Sequence, residues 1–204
     1  MVIVAPHLLL LVIVKLLLGP PLNVLVDQEH GLPAWYAPGP SAEAMAALED
    51  LTHAAWQDQI RVSVYSGYRS YSYQADVKTR AEVRDEGDPE AYLAQPGHSE
   101  HQLGTAFDLV WPGLQVEMTD TRNLELYAWL ERNAHRYGFV LSYPLKTTDG
   151  WPYSNRWIPL VTEFIYEPWH LRYVGVTLAT QIYEAGYLDP ASTVLPQDFY
   201  RPWP

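Results

Sequence analysis

Between Ser41 and Ile60 apolar residues return every three or four positions. In SAEAMAALEDLTHAAWQDQI, Ala44, Leu48, Leu51 and Ala55 share one helical face, and Ser41 stands where a helix cap would. The period then changes: Val62 and Val64 alternate with polar residues in RVSVYS, which predicts a strand ended by Gly67. YSYQADVKTRAEVRDEG predicts a second helix, stopped by Gly87 and Pro89. TAFDLV and GFVLSYP read as two further strands, separated by a helix, TRNLELYAWLERNAHRYG, in which Leu124, Tyr127, Leu130 and Ala134 recur at helical spacing. VTLATQIYEAGYL predicts a last helix. The tail from Asp189, with four prolines among its sixteen residues, predicts an irregular wrap over the surface. Helices mixed with short strands, without internal repeat, predict a globular α+β domain.

The N-terminus follows another pattern. Residues 2–18, VIVAPHLLLLVIVKLLL, are nearly all apolar, interrupted by Pro6, His7 and Lys15 and closed by Gly19-Pro20-Pro21. A helix of that length reaches about 26 Å at ~1.5 Å per residue, slightly short of a ~30 Å hydrocarbon core. A secretory signal would want positive charge ahead of the run and small residues after it, and neither is convincing. Four readings stay open: a membrane anchor or uncleaved signal, a cleaved signal, a misassigned start, and a buried core helix. The expected organisation is therefore an apolar segment at 1–22, one catalytic-size domain at 23–188 and a Pro-rich tail at 189–204.

Composition narrows the partners. The 204 residues, 48% of them hydrophobic, suffice for one well-buried core but would crowd two. A net charge of -11 repels a phosphate backbone, so nucleic acid is excluded as an expected partner. There is no cysteine, so any metal must be held by His, Asp or Glu.

One stretch concentrates such residues. PGHSEHQLGTAFDLV, residues 96–110, carries His98, His101 and Asp108, with Gly104 and Ala106 between the last two. A glycine-containing turn leading into a short strand can bring the imidazole of His101 and the carboxylate of Asp108 onto one metal ion. A catalytic zinc site wants three protein ligands and one open position. The strongest candidate for the third is His170 in FIYEPWHLRYVG. Glu167 stands three residues earlier, and in a regular strand the two would face opposite ways, so Pro168 and Trp169 must break the pleat. A carboxylate beside a metal-bound water can accept its proton during attack on a carbonyl and return it to the leaving amine, which is the role expected of Glu167.

SGYRSYSYQ, PGHSEHQLGTAFDL, NAHRYGFVLSYP and YEPWHLRYVG occur in the order of four signatures of the VanY-type zinc D-alanyl-D-alanine carboxypeptidases, and the chain resembles that family from about Leu25 to Leu188. S-x-H-x-x-G-x-A-x-D followed by E-P-W-H carries most of the resemblance. It implies a single α+β zinc-peptidase domain, a small antiparallel sheet flanked by helices, with Zn2+ on His101, Asp108 and His170, and Glu167 as catalytic carboxylate. Arg69 matches an arginine that binds substrate or stabilises the developing oxyanion, with Gln74, Ser99 and Trp169 as further substrate contacts. A fixed positive fork for an anionic group fits that role. The implied substrates are peptidoglycan stem peptides, and the implied location is extracytoplasmic, with membrane association through residues 2–18 as one possibility.

The chain departs from the pattern at Ser142, where the family often has arginine, and at the long connection 145–163, which carries Trp151, Tyr153 and Trp157. That connection reads equally as a binding loop or a tryptophan-stapled surface loop. His98 reads as a rim histidine, His135 as a packed or supporting one, and His7, His30 and His53 as ordinary residues. Three functions stay open: a carboxypeptidase trimming terminal D-alanine, an endolysin-like endopeptidase, and a metal-bearing module that binds wall without cutting it. Retention of Glu167 with a full ligand set disfavours the last.

Overall fold

The computed structural model describes residues 19–84, 93–146 and 166–203. The apolar run at 2–18, the Gly87 and Pro89 helix stop, and all but Leu145 and Lys146 of the 145–163 connection lie outside those residues. No described helix is long and apolar enough to cross a membrane.

Helix α1 (Ala42–Gln57) opens where the Ser41 hydroxyl accepts the Ala44 N–H at 3.3 Å, and it buries Ala44, Leu48, Leu51 and Ala55. Strand β1 (Ser63–Ser66), helix α2 (Tyr71–Arg84) and strand β2 (Ala106–Val110) follow. Then come helix α3 (Thr121–Asn133), strands β3 (Phe139–Leu141) and β4 (His170–Tyr173), and helix α4 (Val176–Glu184). The strands form one antiparallel sheet in the order β1-β2-β4-β3.

The central strands β2 and β4 are buried along their whole length, and side-chain alternation divides their residues by chemistry. Phe107, Leu109, Leu171 and Tyr173 enter the main core with Leu48, Leu51, Leu126, Leu130 and Ile182. Asp108, His170 and Arg172 take the opposite face. A single 3-10 turn, Glu100–Leu103, leads into β2. Gly104 ends it in the left-handed region at φ 75°, where a Cβ would collide with the Gly39 carbonyl.

The strand read from RVSVYS is present as β1, the edge of the sheet, where the register slips between Val64 and Ser66 and Val64 is 46% exposed. Two expectations are corrected. On α3, Leu124 is exposed, and the inner face is Asn123, Leu126, Tyr127 and Leu130. Asn123 is inside because it bonds the loop before it, accepting the Trp111 N–H at 2.8 Å and donating to the Gln115 carbonyl at 2.9 Å. The tail is more than a surface wrap: Leu195, Pro196 and Tyr200 are buried, and Val24 bridges Arg201. Aromatic and aliphatic side chains placed among prolines find core contacts there, around a single 3-10 turn at Pro196–Phe199.

Candidate active site

Ser99 caps the 3-10 turn, its hydroxyl accepting the His101 N–H at 3.4 Å, and the turn carries His101 inward. Strand β2 then presents Asp108, and the β2–β4 register sets it directly opposite His170. His101 Nδ1 lies 2.6 Å from the Gly67 carbonyl and donates to it, which leaves Nε2 buried, without a hydrogen-bond partner among the described residues, 3.3 Å from Asp108 Oδ2. His170 Nδ1 lies 3.0 Å from Asp108 Oδ1 and its Nε2 lies 3.1 Å from Glu100 Oε2.

Each imidazole thus has one nitrogen turned to an outside acceptor and the other turned to Asp108. Metal-binding histidines are oriented in this way. One ligand atom from each of His101, Asp108 and His170 lies within 4.8 Å of the others. The 3.0 Å separation is to Asp108 Oδ1 and the 3.3 Å one to Oδ2, each close to the ~3.4 Å spacing of two ligand atoms with bonds of about 2.0–2.2 Å to one tetrahedral ion. The orphaned His101 nitrogen and the nitrogen and oxygen donors fit a divalent cation of the zinc kind.

The charges agree. Burial raises the Glu100 carboxyl, but Arg172 and the bond with His170 outweigh it and hold it at about 2. Burial likewise raises Asp108, and the two histidines pull it well below the usual carboxylate range. His101 is lowered by burial, with Asp108 opposing. His170 is lowered by burial too, yet its bonds with Asp108 and Glu100 lift it to about 10. The carboxylates demand positive charge between them: a proton on His170 supplies it in the metal-free chain, and a dication would supply it with both rings neutral.

Glu167 reaches the same place through the break that its sequence predicts. Pro168 and Trp169 form a turn, the His170 N–H donates to the Glu167 carbonyl at 3.0 Å, and Glu167 Oε2 comes 4.0 Å from His170 Nδ1. Burial pushes the Glu167 carboxyl up to about 8; Asp108 and Glu100 add to the rise, and His170 and Arg69 oppose it. Asp108, Glu167 and His170 line a cleft of about 660 Å³, with Arg69, Tyr73 and Trp169 among its other walls. Arg69 Nε is buried without a hydrogen-bond partner among the described residues.

Gln74 and Ser99 sit behind this surface. Gln74 is 1% exposed and donates to the Ala94 carbonyl at 2.7 Å; neither residue lines the cleft. His98 faces away, its Nδ1 2.7 Å from the Asp27 carbonyl, and His135 stacks on Tyr183 at 3.7 Å between ring centroids. Sequence reasoning missed Glu100, Arg172 and Tyr143, whose ring lies 4.9 Å from that of His170. One signal was readable: Arg172 stands two residues after His170 in a strand and so shares its face.

The VanY D-alanyl-D-alanine carboxypeptidase family profile matches residues 40–176. A D-alanyl-D-alanine carboxypeptidase of Enterococcus faecalis is 34% identical over 182 residues, covering 80% of this chain, while the chain spans only 62% of that protein's length. Among solved structures, the vancomycin-resistance D,D-pentapeptidase VanY from a VanB-type cassette, in complex with Zn(II), is 29% identical with a TM-score of 0.67, covering 87% of this chain and 97% of that one. The LdcB LD-carboxypeptidase, whose structure concerns peptidoglycan recognition, is 32% identical with a TM-score of 0.64, covering 79% of this chain and 80% of that one.

Proposed function

The chain belongs to the VanY D-alanyl-D-alanine carboxypeptidase family, and we propose on that premise that it is a zinc-dependent peptidase that removes terminal D-alanine from peptidoglycan stem peptides, acting outside the cytoplasm. The observation that carries this reading is the convergence of His101 Nε2, the Asp108 carboxylate and His170 Nδ1 beside a buried Glu167 on the floor of an open cleft. His101, Asp108 and His170 would hold the zinc. When bound, zinc supplies a Lewis acid that polarises a peptide carbonyl and makes water more acidic.

The remaining work falls to side chains. Glu167 accepts a proton from the attacking water through its carboxylate and returns it to the departing amine. Its buried position suits a carboxylate that exchanges protons near neutral pH; burial holds it up at about 8 in the metal-free chain, and positive charge beside it would lower that value. Arg69 offers N–H donors to an anionic group of the substrate or intermediate. Trp169 gives the peptide an apolar wall beside the reacting bond.

Mass spectrometry of products from pentapeptide and tetrapeptide stems, with the zinc-loaded protein, tests this reading. Free D-alanine from the pentapeptide identifies D,D-cleavage, and from the tetrapeptide L,D-cleavage. Internal fragments would instead identify an endopeptidase. Binding to wall without release of any product would overturn the enzyme reading.

A further inference from the structure

Glu100 is 1% exposed and takes no part in the steps above. Its Oε1 accepts from Arg172 Nη1 at 2.7 Å, and its Oε2 accepts from the Ser142 hydroxyl and faces His170 Nε2 at 3.1 Å. Burying a carboxylate and a guanidinium together is costly, and apolar residues of similar volume often pack as well or better. The pair is explained by what it does to His170.

A neutral imidazole has two tautomers. With its hydrogen on Nδ1, His170 donates to Asp108 Oδ1, 3.0 Å away, and the nitrogen nearest that carboxylate has no lone pair to offer. With its hydrogen on Nε2, the ring donates to Glu100, and Nδ1 keeps its lone pair on the side of Asp108 and His101. Asp108 favours the first arrangement and Glu100 the second. We propose that Glu100 is a positioning residue of the metal centre: it selects the Nε2–H tautomer of His170 and holds the ring so that Nδ1 is presented to the ion, while Arg172 and Ser142 hold Glu100 in place.

Arg172 extends this bracing outward. Its Nη2 donates to the Leu22 carbonyl at 2.8 Å and the Val24 carbonyl at 2.6 Å, and its guanidinium lies 4.3 Å from the centre of the Tyr200 ring. Segments from both ends of the described chain therefore steady the group that steadies His170. In this arrangement Ser142 has its own task, as a donor to Glu100.

This assignment rests on reading His101, Asp108 and His170 as ligands, and the experiment separates the two. Zinc affinity of the full chain is measured by competition with a chelator for the parent, His170→Ala, Glu100→Gln and Ser142→Ala. Visible absorption of the Co(II)-loaded proteins reports ligand geometry. Glu100→Gln should weaken zinc by roughly 10 to 100-fold and alter the Co(II) bands, as loss of a supporting carboxylate does. Ser142→Ala, a one-hydroxyl change, should shift both readouts the same way by less. A parent that binds no zinc, or a His170→Ala variant that binds as tightly as the parent, would remove the ligand reading itself. If His170→Ala loses zinc while Glu100→Gln keeps parental affinity and bands, Glu100 is structural only. Should Glu100→Gln fail to fold, Ser142→Ala decides, and parental affinity with unchanged Co(II) bands overturns the proposal.

Discussion

On one side of the cleft, β2 and β4 carry Asp108 and His170, and behind them Glu100 and Arg172, all at 9% exposure or less. On the other, β1 and the first turn of α2 carry Tyr65 and Tyr73, each at 47% or more. The first side is built from central strands with partners on both edges, and the charged groups described on it are bound to one another. The second is an edge strand with a register slip, followed by a helix whose aromatic residues face solvent. Ligands for a small ion must be held to within a fraction of an ångström, which a fully packed polar network achieves. A flexible peptide needs access, which an open wall provides.

Removing a group from the buried side is expected to cost most. His101→Ala leaves two of three ligands, so bound zinc, measured by elemental analysis after dialysis, should fall from one per chain to near zero together with D-alanine release. A variant that kept stoichiometric zinc and full turnover would take His101 out of the site. Glu167→Gln tests the floor between the two sides. It keeps size but cannot accept the proton, so turnover should drop by roughly 10² to 10⁴ with zinc content and melting temperature nearly unchanged. Parental turnover would leave Glu167 without a catalytic role.

The open side is expected to tolerate more. Arg69→Ala should lower kcat/KM by about 10²-fold, as loss of one anion-stabilising donor does, and Arg69→Lys should fall between it and the parent because charge survives but the planar fork does not. Equal kinetics for all three would reduce Arg69 to a surface group. Acid separates the sides more gently, and the prediction concerns metal-free protein. The Glu100 carboxyl is held at about 2 against an ordinary 4.5, so its contribution to stability is complete above 4.5 and is lost as pH falls towards 2. Glu167 works in the opposite sense: raised to about 8, it contributes fully below 4.5, and the contribution is lost as pH rises through 8. Thermal unfolding across pH 2–9 should therefore show a fall on the acid side in the parent. The alkaline-side decline should shrink in Glu167→Gln, and an unchanged decline would contradict the assignment to Glu167.

Where one element's own pattern decides its burial, the sequence was a sufficient guide. All four expected core residues of α1 are buried, because a single helix face meets a single core. On α3 the same reasoning picked Leu124 over Asn123, since periodicity ranks residues by hydropathy and cannot anticipate an amide that bonds to a loop eight residues back. The alternation at Val62 and Val64 marked a strand correctly, but it carried no information on how exposed an edge strand leaves Val64. The site divides in the same way. Arg69 and Trp169 line the cleft, whereas Gln74 and Ser99, close to the motifs in sequence, turn behind it to bond backbone.

The seven-residue step from His101 to Asp108 with a glycine in its turn, the Pro168-Trp169 break after Glu167, and the shared strand face of His170 and Arg172 are local properties, and the sequence alone determined them. The absence of cysteine limited the ligands to nitrogen and oxygen before any fold was known. Only the tertiary structure decided that Asp108 stands opposite His170, 62 residues away, that Glu100 meets Arg172 across 72, and that Leu22, Val24 and Tyr200 gather on Arg172. The physical reason is that strand register and burial are set by the whole core at once. A carboxylate beside a histidine in sequence has no fixed partner until packing removes water and leaves one geometry in which every buried charge is answered.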